Sequence, residues 1–401
     1  MKKNAPLSPQ KVGRFVAEIF ANDLHAKRIL SLGNATSGAI EAAALGAHAI
    51  GHGLAEAAWL NPKHAVKQVD RLLSNPAINP FALAATWVPF VVAERKEIVV
   101  ILDWTDFEKD DHATLAIHMV TTHGRSTPLI WKTARKSGLA GNQTLIERVL
   151  VGRLRELVAP DVKITLLADR GFGSCEFYEF LSANNVDYVI RFRENIKVSD
   201  VAGETKTAAA WVPTTGKPKT IRNATVTGSK QHVPVVVCVR TPKMKDAWCL
   251  ASSIHGVPAS TIVKLYGRRF TIEERFRDTK DIRFGMGLSA TSTTSPDRRD
   301  RLLLIGALAQ ALLTLLGAAG ESLGMDRMLK VNTVKRRTHS LYTQGYHYYR
   351  TIPAMGLEAL RPLAEKFGDL IRDQSLFRQI FVSVQRITSQ TESERRRNEA
   401  G

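Results

Sequence analysis

Apolar residues first recur at helical spacing, over residues 1 to about 80. SGAIEAAALGAHAIGHGLAEAAWL (37–60) is Ala-rich, with Gly51 and Gly53 as a helix break. NPKHAVKQVDRLLSNPAINP (61–80) opens and closes on Asn-Pro and reads as a short capped helix. Lys63, His64, Lys67, Gln68 and Arg71 give it a polar, mostly basic face. Helix, turn, basic helix is compatible with DNA binding, and equally with a solvated surface helix.

From about 97 the pattern changes to short β-rich runs. EIVVILDW reads as a buried strand, and HATLAIHMVTTHGRSTPLIWKTA as two strands about the turn THGR. A helix follows in GNQTLIERVLVGRLRELV. A fourth strand, VKITLLADRGFG, stops at Asp169 before a Gly-bearing loop. A short helix around CEFYEFLSANN leads to a fifth strand, VDYVIRF. Three strands in hairpin order, then helix, strand, helix, strand, predict a mixed α/β sheet covered by helices.

From about 194 to 255 the helical period vanishes, and runs such as HVPVVVCVR and DAWCLASSI predict an inserted β subdomain. Helix returns as one stretch, PASTIVKLYGRRFTIEERFRDTKDI. Leu302–Gly320 carries no charge and is long enough to cross a bilayer. Its Ala and Gly content, with Gln310 and Thr314, favours a buried core helix instead. Residues 325–401 read as helical with a basic middle, VNTVKRRTHS, and a disordered tail, ESERRRNEAG. There is no internal repeat.

Charge narrows the function. Lys and Arg exceed Asp and Glu by 56 − 38 = 18, and so large an excess calls for a polyanionic partner, most commonly nucleic acid. An acidic membrane surface is the competing partner. Three cysteines without a C-x-x-C pair argue against a disulfide framework or zinc finger and suit a reducing cytosol. The N-terminus MKKNAPLSPQK has no apolar stretch of the kind a signal peptide needs.

Chemistry is concentrated in three acids. Asp103 is expected to end the first strand, and Asp169 the fourth. Carboxylates converging above a sheet repel each other and need a proton or a cation between them. Two divalent ions about 3.5–4 Å apart would suit, clamping attacking and leaving oxygens in phosphoryl transfer. The third acid comes from YGRRFTIEERFRDTK, residues 266–280, which holds three acids and five bases. At about 100° per residue, Tyr266, Arg269, Glu273 and Lys280 share one face over about 21 Å of helix, and Glu274 falls off it. Glu273 is therefore the candidate ligand and Glu274 a solvated or locally paired acid. The hydroxyl and the two cations of that face suit phosphates. Asp106, in DWTDF, rivals Asp103 but lies beyond the apolar run. Each piece has a plainer reading: a strand-end Asp as a turn residue, a charged helix face as wet surface.

Tyr266-x2-Arg269-x3-Glu273-x6-Lys280 resembles the Tyr-Arg-Glu-Lys signature of the IS-Four family of bacterial insertion-sequence transposases, cut-and-paste type. The contexts ILDWTDF, THGRSTPLIWKT, LLADRGFGS and FGMGLSATSTTSPDRRDRLLLI are similar to that family's pattern over about 65–320. The resemblance implies a ribonuclease-H-like catalytic domain at 81–320, with the β-rich insertion at about 194–255. It implies a helical DNA-end-binding domain at 1–80 and a helical C-terminal region at 321–401 that pairs protomers as a homodimer. It implies a triad of Asp103, Asp169 and Glu273 binding two Mg²⁺ or Mn²⁺ ions. The activity implied is strand nicking, hairpin formation and strand transfer at terminal inverted repeats, in the cytoplasm at the nucleoid.

Hairpin formation is eased by flipping a base, which needs an aromatic platform. Trp248 stands where relatives carry a stacking Trp, though a core Trp of the inserted sheet is an equal reading. Arg191 and Arg193, just beyond the fifth strand, correspond loosely to phosphate-contacting bases. Phe270 departs from the Trp of many members. A nuclease on the same core, an inactive DNA-binding relative and a glycosidase with paired carboxylates are the rival readings; the charge and the cationic row disfavour the last.

Overall fold

The N-terminal segment folds as five helices, four of them opened by a side-chain cap. They are α1 (Pro9–Phe20), α2 (Ala26–Ala42), α3 (Ala47–Ala58), α4 (Pro62–Leu73) and α5 (Pro80–Val92). These come from a computed structural model that describes residues 6–227, 230–242, 244–283 and 285–372. The tail ESERRRNEAG lies outside the described residues. Asn61 and Asn79 accept from backbone N–H groups of the first turns of α4 and α5, each with Pro at the first helical position.

Gly51 and Gly53, expected to break the helix, lie inside α3. They permit close approach instead. A Cβ at Gly51 would sit 2.5 Å from Val66 of α4, and one at Gly53 would sit 2.3 Å from the Gly38 carbonyl of α2. The breaks fall outside α3, at 43–46 and 59–61.

The sheet strands follow: β1 (Glu97–Phe107), β2 (His112–Met119), β3 (Thr127–Arg135), α6 (Gln143–Leu157), β4 (Lys163–Ala168), α7 (Cys175–Ala183) and β5 (Val186–Phe192). They stand in the order β3-β2-β1-β4-β5. The hairpin strands are antiparallel, and β1, β4 and β5 are mutually parallel. This is the arrangement expected of a ribonuclease-H-like core.

The inserted segment supplies β6 (Lys197–Ser199), β7 (Thr205–Thr207), β8 (Lys219–Val226), β9 (Gln231–Val239) and β10 (Trp248–Ser252). Where a subdomain was expected, these strands extend the same sheet. β10 pairs antiparallel with β5, giving ten strands in one sheet. The free edge of β5 is thereby covered by main-chain hydrogen bonds.

The expected single helix at 259–282 is two, α8 (Ala259–Gly267) and α9 (Thr271–Lys280), joined by a 3-10 turn at Arg268–Phe270. Alternation along the strands sorts the two faces of the sheet. Val99 and Ile101 of β1, Leu167 of β4, Val189 of β5 and Leu250 of β10 pack with Ile262, Leu265, Tyr266 and Ile272 of α8 and α9. Ile98, Val100, Leu102, Leu166 and Ile190 face the other way, into the main core with α6 and α7.

The apolar segment Leu302–Gly320 lies within α10 (Pro296–Ser322) and is buried in that core. Helices α11 (Leu341–Thr351) and α12 (Leu357–Arg372) pack on it. Gly317 and Gly345 sit at the α10–α11 contact, where a Cβ on either would fall within 2 Å of the opposing main chain.

Candidate active site

Strand parity decides which side chains can meet. Asp103 continues the series Val99, Ile101 on the α8–α9 face of β1, and Asp169 continues Leu167 just past β4. The parallel register pairs Leu102 with Ala168, so Asp103 and Asp169 are each the next residue along. Asp103 does not end its strand, as had been expected. β1 runs on to Phe107, paired with β2 as far as His112. What ends at Leu102 is its pairing with β4, and that opens the notch beside Asp103. Asp169 caps the following 3-10 turn, accepting from Gly171 N–H at 2.7 Å.

Asp106 has the opposite parity. Its carboxylate pairs with Lys136 at 2.8 Å, and its side chain points away from Asp103. Glu274 pairs with Arg277 and lies 3.7 Å from Arg125, the locally paired acid expected of it.

Glu273 reaches the notch from α9. The Arg269 guanidinium joins the two elements: Nη1 donates to Asp103 Oδ2 at 3.1 Å and Nη2 to Glu273. Burial pushes the Asp103 carboxyl up to about 7, opposed by Arg269 and reinforced by the charges of Asp169 and Glu273. The three acids are therefore close enough to feel one another, and protonation or a cation relieves the repulsion.

Among the described residues, no three Asp, Glu, His or Cys side chains stand close enough to hold one ion together. Arg269 supplies the compensating charge between two of them. The donor set itself, three carboxylates, has the hard-oxygen chemistry that Mg²⁺ and Mn²⁺ require. An open cleft of about 450 Å³ lies beside it, lined by Asp103, Thr105, Glu273, Arg277 and Lys280 among others.

The remaining sequence-predicted residues gather around this notch in different ways. Tyr266 is buried beneath Arg269, and burial, opposed by Arg269 and Arg191, pushes its hydroxyl up to about 12. Lys280 is tied to β1, donating to Thr105 Oγ1 at 3.0 Å and to the Asp106 carbonyl at 2.7 Å. Arg191 lies inside β5, where it had been expected beyond it, on the same face as Val189. It donates to the Ala247 carbonyl at 3.0 Å and lies 3.7 Å from Asp246. Arg193 follows β5 and is exposed.

Trp248 opens β10, half-buried, with its ring edge-on to Tyr266 at 4.9 Å and tilted to Phe270 at 6.0 Å. Phe270 is exposed, and the Arg269 guanidinium lies 4.8 Å over its ring. The structure thus brings an aromatic pair to the rim of the carboxylate notch.

Sequence reasoning missed Glu147. It is buried on α6, accepting from Trp104 Nε1 at 2.9 Å and from Gln143 at 3.0 Å. Burial, offset by those two hydrogen bonds and reinforced by the charge of Asp169, raises its carboxyl. The signal was present. Glu147 occupies the apolar stripe of α6 with Leu150, Val151 and Leu154, where a carboxylate has to find a partner.

This convergence of acids and phosphate-sized cations on one sheet face suits metal-assisted phosphoryl transfer. A comparison with individual curated proteins finds no match to the chain. The family model of the transposase DDE domain matches residues 94–312, which hold Asp103, Asp169 and Glu273. Divalent metals are typical of such enzymes. With more than half its length in that domain, the chain belongs to the DDE-domain transposases, phosphoryl-transfer enzymes of DNA transposition.

Proposed function

We propose that this transposase is of the IS-Four, cut-and-paste kind. It would nick one strand at an inverted repeat, form and open a hairpin, and join the freed 3′ end to target DNA. The observation that carries this reading is the meeting of Asp103 and Glu273, 170 positions apart (273 − 103), around Arg269 and beside Asp169. Asp103, Asp169 and Glu273 would hold two Mg²⁺ or Mn²⁺ ions. Bound there, the ions supply charge neutralisation at the phosphate and acidify the attacking water or hydroxyl.

The protein's own groups supply the rest. Arg269, freed from the carboxylates, presents its planar fork to a phosphate. Lys280, at the end of α9, would extend that hold, Tyr266, buried beneath Arg269, would steady the guanidinium, and Arg191 and Arg193 would follow the backbone from β5. Trp248 offers its ring face to a base displaced by the sharp hairpin bend. A homodimer with the C-terminal helices paired fits the need to hold two ends together.

The test is a labelled duplex carrying the inverted repeat beside this coding sequence, incubated with the protein and Mg²⁺. Nick, hairpin and joined product are expected in that order. Cleavage without joined product would reduce the protein to a nuclease. Binding without cleavage would make it an inactive relative.

A further inference from the structure

The helix that carries Glu273 is held from behind. α9 brings Glu273 and Lys280 to the notch and buries Ile272, Arg275, Asp278 and Thr279 on its other side. At about 100° per residue, Asp278 lies about 140° round the helix from Glu273. At the front, Lys280 anchors the last residue of α9 on β1. The start is looser. The 3-10 turn separates it from α8, no side chain caps it, and among the described residues Glu273 pairs with Arg269 alone.

One turn holds the back. Residues 121–126, with THGR at their centre, join β2 to β3 and reach both ends of α9. Ser126 Oγ donates to the carbonyl of Thr271, the first residue of the helix, at 3.3 Å. Arg125 grips Asp278 with two points of its fork, Nε on Oδ2 at 2.6 Å and Nη2 on Oδ1 at 3.3 Å. The contacts lie seven residues apart (278 − 271), about 10 Å of helix, with Glu273 between them. Asp278 is buried, and so is Arg275 beside it, whose guanidinium lies 5.7 Å over the Tyr342 ring. Sliding or rolling α9 would pull a buried carboxylate off its fork, and an uncompensated buried charge is costly.

The turn is itself fixed. The Thr121 hydroxyl donates to the Arg125 carbonyl. From the C-terminal region, Arg337 donates to the Thr122 carbonyl at 3.2 Å and Leu341 N–H to the His123 carbonyl at 3.1 Å. Gly124 has φ +91°, and a Cβ there would sit 3.2 Å from Ser340 Cα. Arg125 thus presents its fork from a rigid base.

We propose that Arg125 is a positioning residue for the reaction: its two-point grip on Asp278 sets where α9 stops, and so where Glu273 stands opposite Asp103. Arg125 does not line the cleft and acts only through the helix. That Glu273 serves the chemistry rests on the function proposed above.

The experiment separates placement from stability in the full-length chain. Arg125→Met alone strands Asp278 as a buried charge and should lower Tm. Arg125→Met with Asp278→Asn removes both charges and should recover most of that loss. Placement is not recovered. The double variant should nick a labelled end about 10- to 100-fold more slowly and need about ten-fold more Mg²⁺ for half-maximal nicking. Arg125→Lys keeps the charge without the fork, so it should fold as the wild type does and nick about ten-fold more slowly. Hydrogen exchange of the DNA-free proteins reads the helix directly. Amides of 271–280 should exchange about ten-fold faster or more in the double variant, with β1 and β4 unchanged.

Nicking that recovers together with stability in the double variant makes the pair merely structural and overturns the proposal. Wild-type nicking by Arg125→Lys does the same, and so does unchanged exchange over 271–280. If the double variant stays unstable, Arg125→Lys carries the decision. A wild-type protein that never nicks the end defeats the function proposed above instead, and exchange alone then decides whether Arg125 holds α9.

Discussion

Arg269 Nη1 stands 3.1 Å from Asp103 Oδ2, so a guanidinium occupies the place where the acids would otherwise need a cation. The same group reaches Glu273, so two carboxylates from distant elements are bridged by one fork. A divalent ion entering the notch must displace that charge. A divalent ion about 4 Å from a guanidinium is repelled by on the order of 8 kcal/mol at an effective dielectric constant of about 20. Arg269→Ala should therefore tighten Mn²⁺ binding to the DNA-free protein by about ten-fold or more, measured by calorimetry, while nicking falls. Unchanged ion affinity in the variant sinks the idea that Arg269 holds the cation's place.

Asp169 can be separated from the fold. Its Oδ1 caps a 3-10 turn through Gly171 N–H, and an asparagine oxygen can accept the same bond. Asp169→Asn should lose nicking by on the order of 10³-fold, the scale seen when a catalytic charge-stabilising group is removed. End binding should stay within about two-fold, because the grip on DNA comes from cations. Full nicking by this variant in Mg²⁺ would remove Asp169 from the triad.

Trp248 is half-buried, edge-on to Tyr266 and beside the exposed Phe270. Both of its readings, platform and core, have a physical basis in that setting. Trp248→Ala should spare the first nick and depress hairpin formation by about ten-fold or more, given the worth of one base–aromatic stack. Trp248→Phe should restore most of the loss. Equal loss of nick and hairpin, unrescued by Phe, would identify a structural tryptophan.

Much of this site was legible in the chain because it obeys local periods. Helix rotation put Glu273 on one face with Arg269, and the ends of the apolar runs pointed to Asp103 and Asp169. That rotation set Glu274 aside, and Asp106 was set aside because it lies beyond the apolar run; they pair with Arg277 and Lys136. The misses are non-local. Whether Asp103 ends its strand depends on β2, which holds β1 extended to Phe107 after β4 has stopped. Whether 194–255 forms a separate unit depends on the free edge of β5, which β10 covers. Gly51 and Gly53 look like breakers until Val66 and the Gly38 carbonyl appear against them. That Arg269 would bridge the acids, and Lys280 would turn back onto Thr105, are choices of partner that no spacing encodes.

Asp300 gives a test of the core behind the site. It is 3% exposed, accepts from Thr133 N–H at 3.0 Å and lies 3.5 Å from Lys132. Burial, offset by the Thr133 bond and Lys132, pushes its carboxyl up to about 6 from an ordinary 3.8. Between about pH 4 and 6 the folded protein therefore holds a proton that the unfolded chain has released. The contribution of Asp300 to stability falls as pH rises through that window, and the full cost is present above it. Asp300→Asn keeps an acceptor for Thr133 and has nothing to titrate. Urea unfolding should show variant and wild type nearly equal at pH 4, with the variant more stable at pH 7 by up to about 3 kcal/mol. Taking the difference between the two proteins cancels the shift of the same sign at Asp103. A gap that is the same at both pH values would mean that Asp300 titrates alike in the folded and unfolded chain, with Thr133 and Lys132 offsetting its burial.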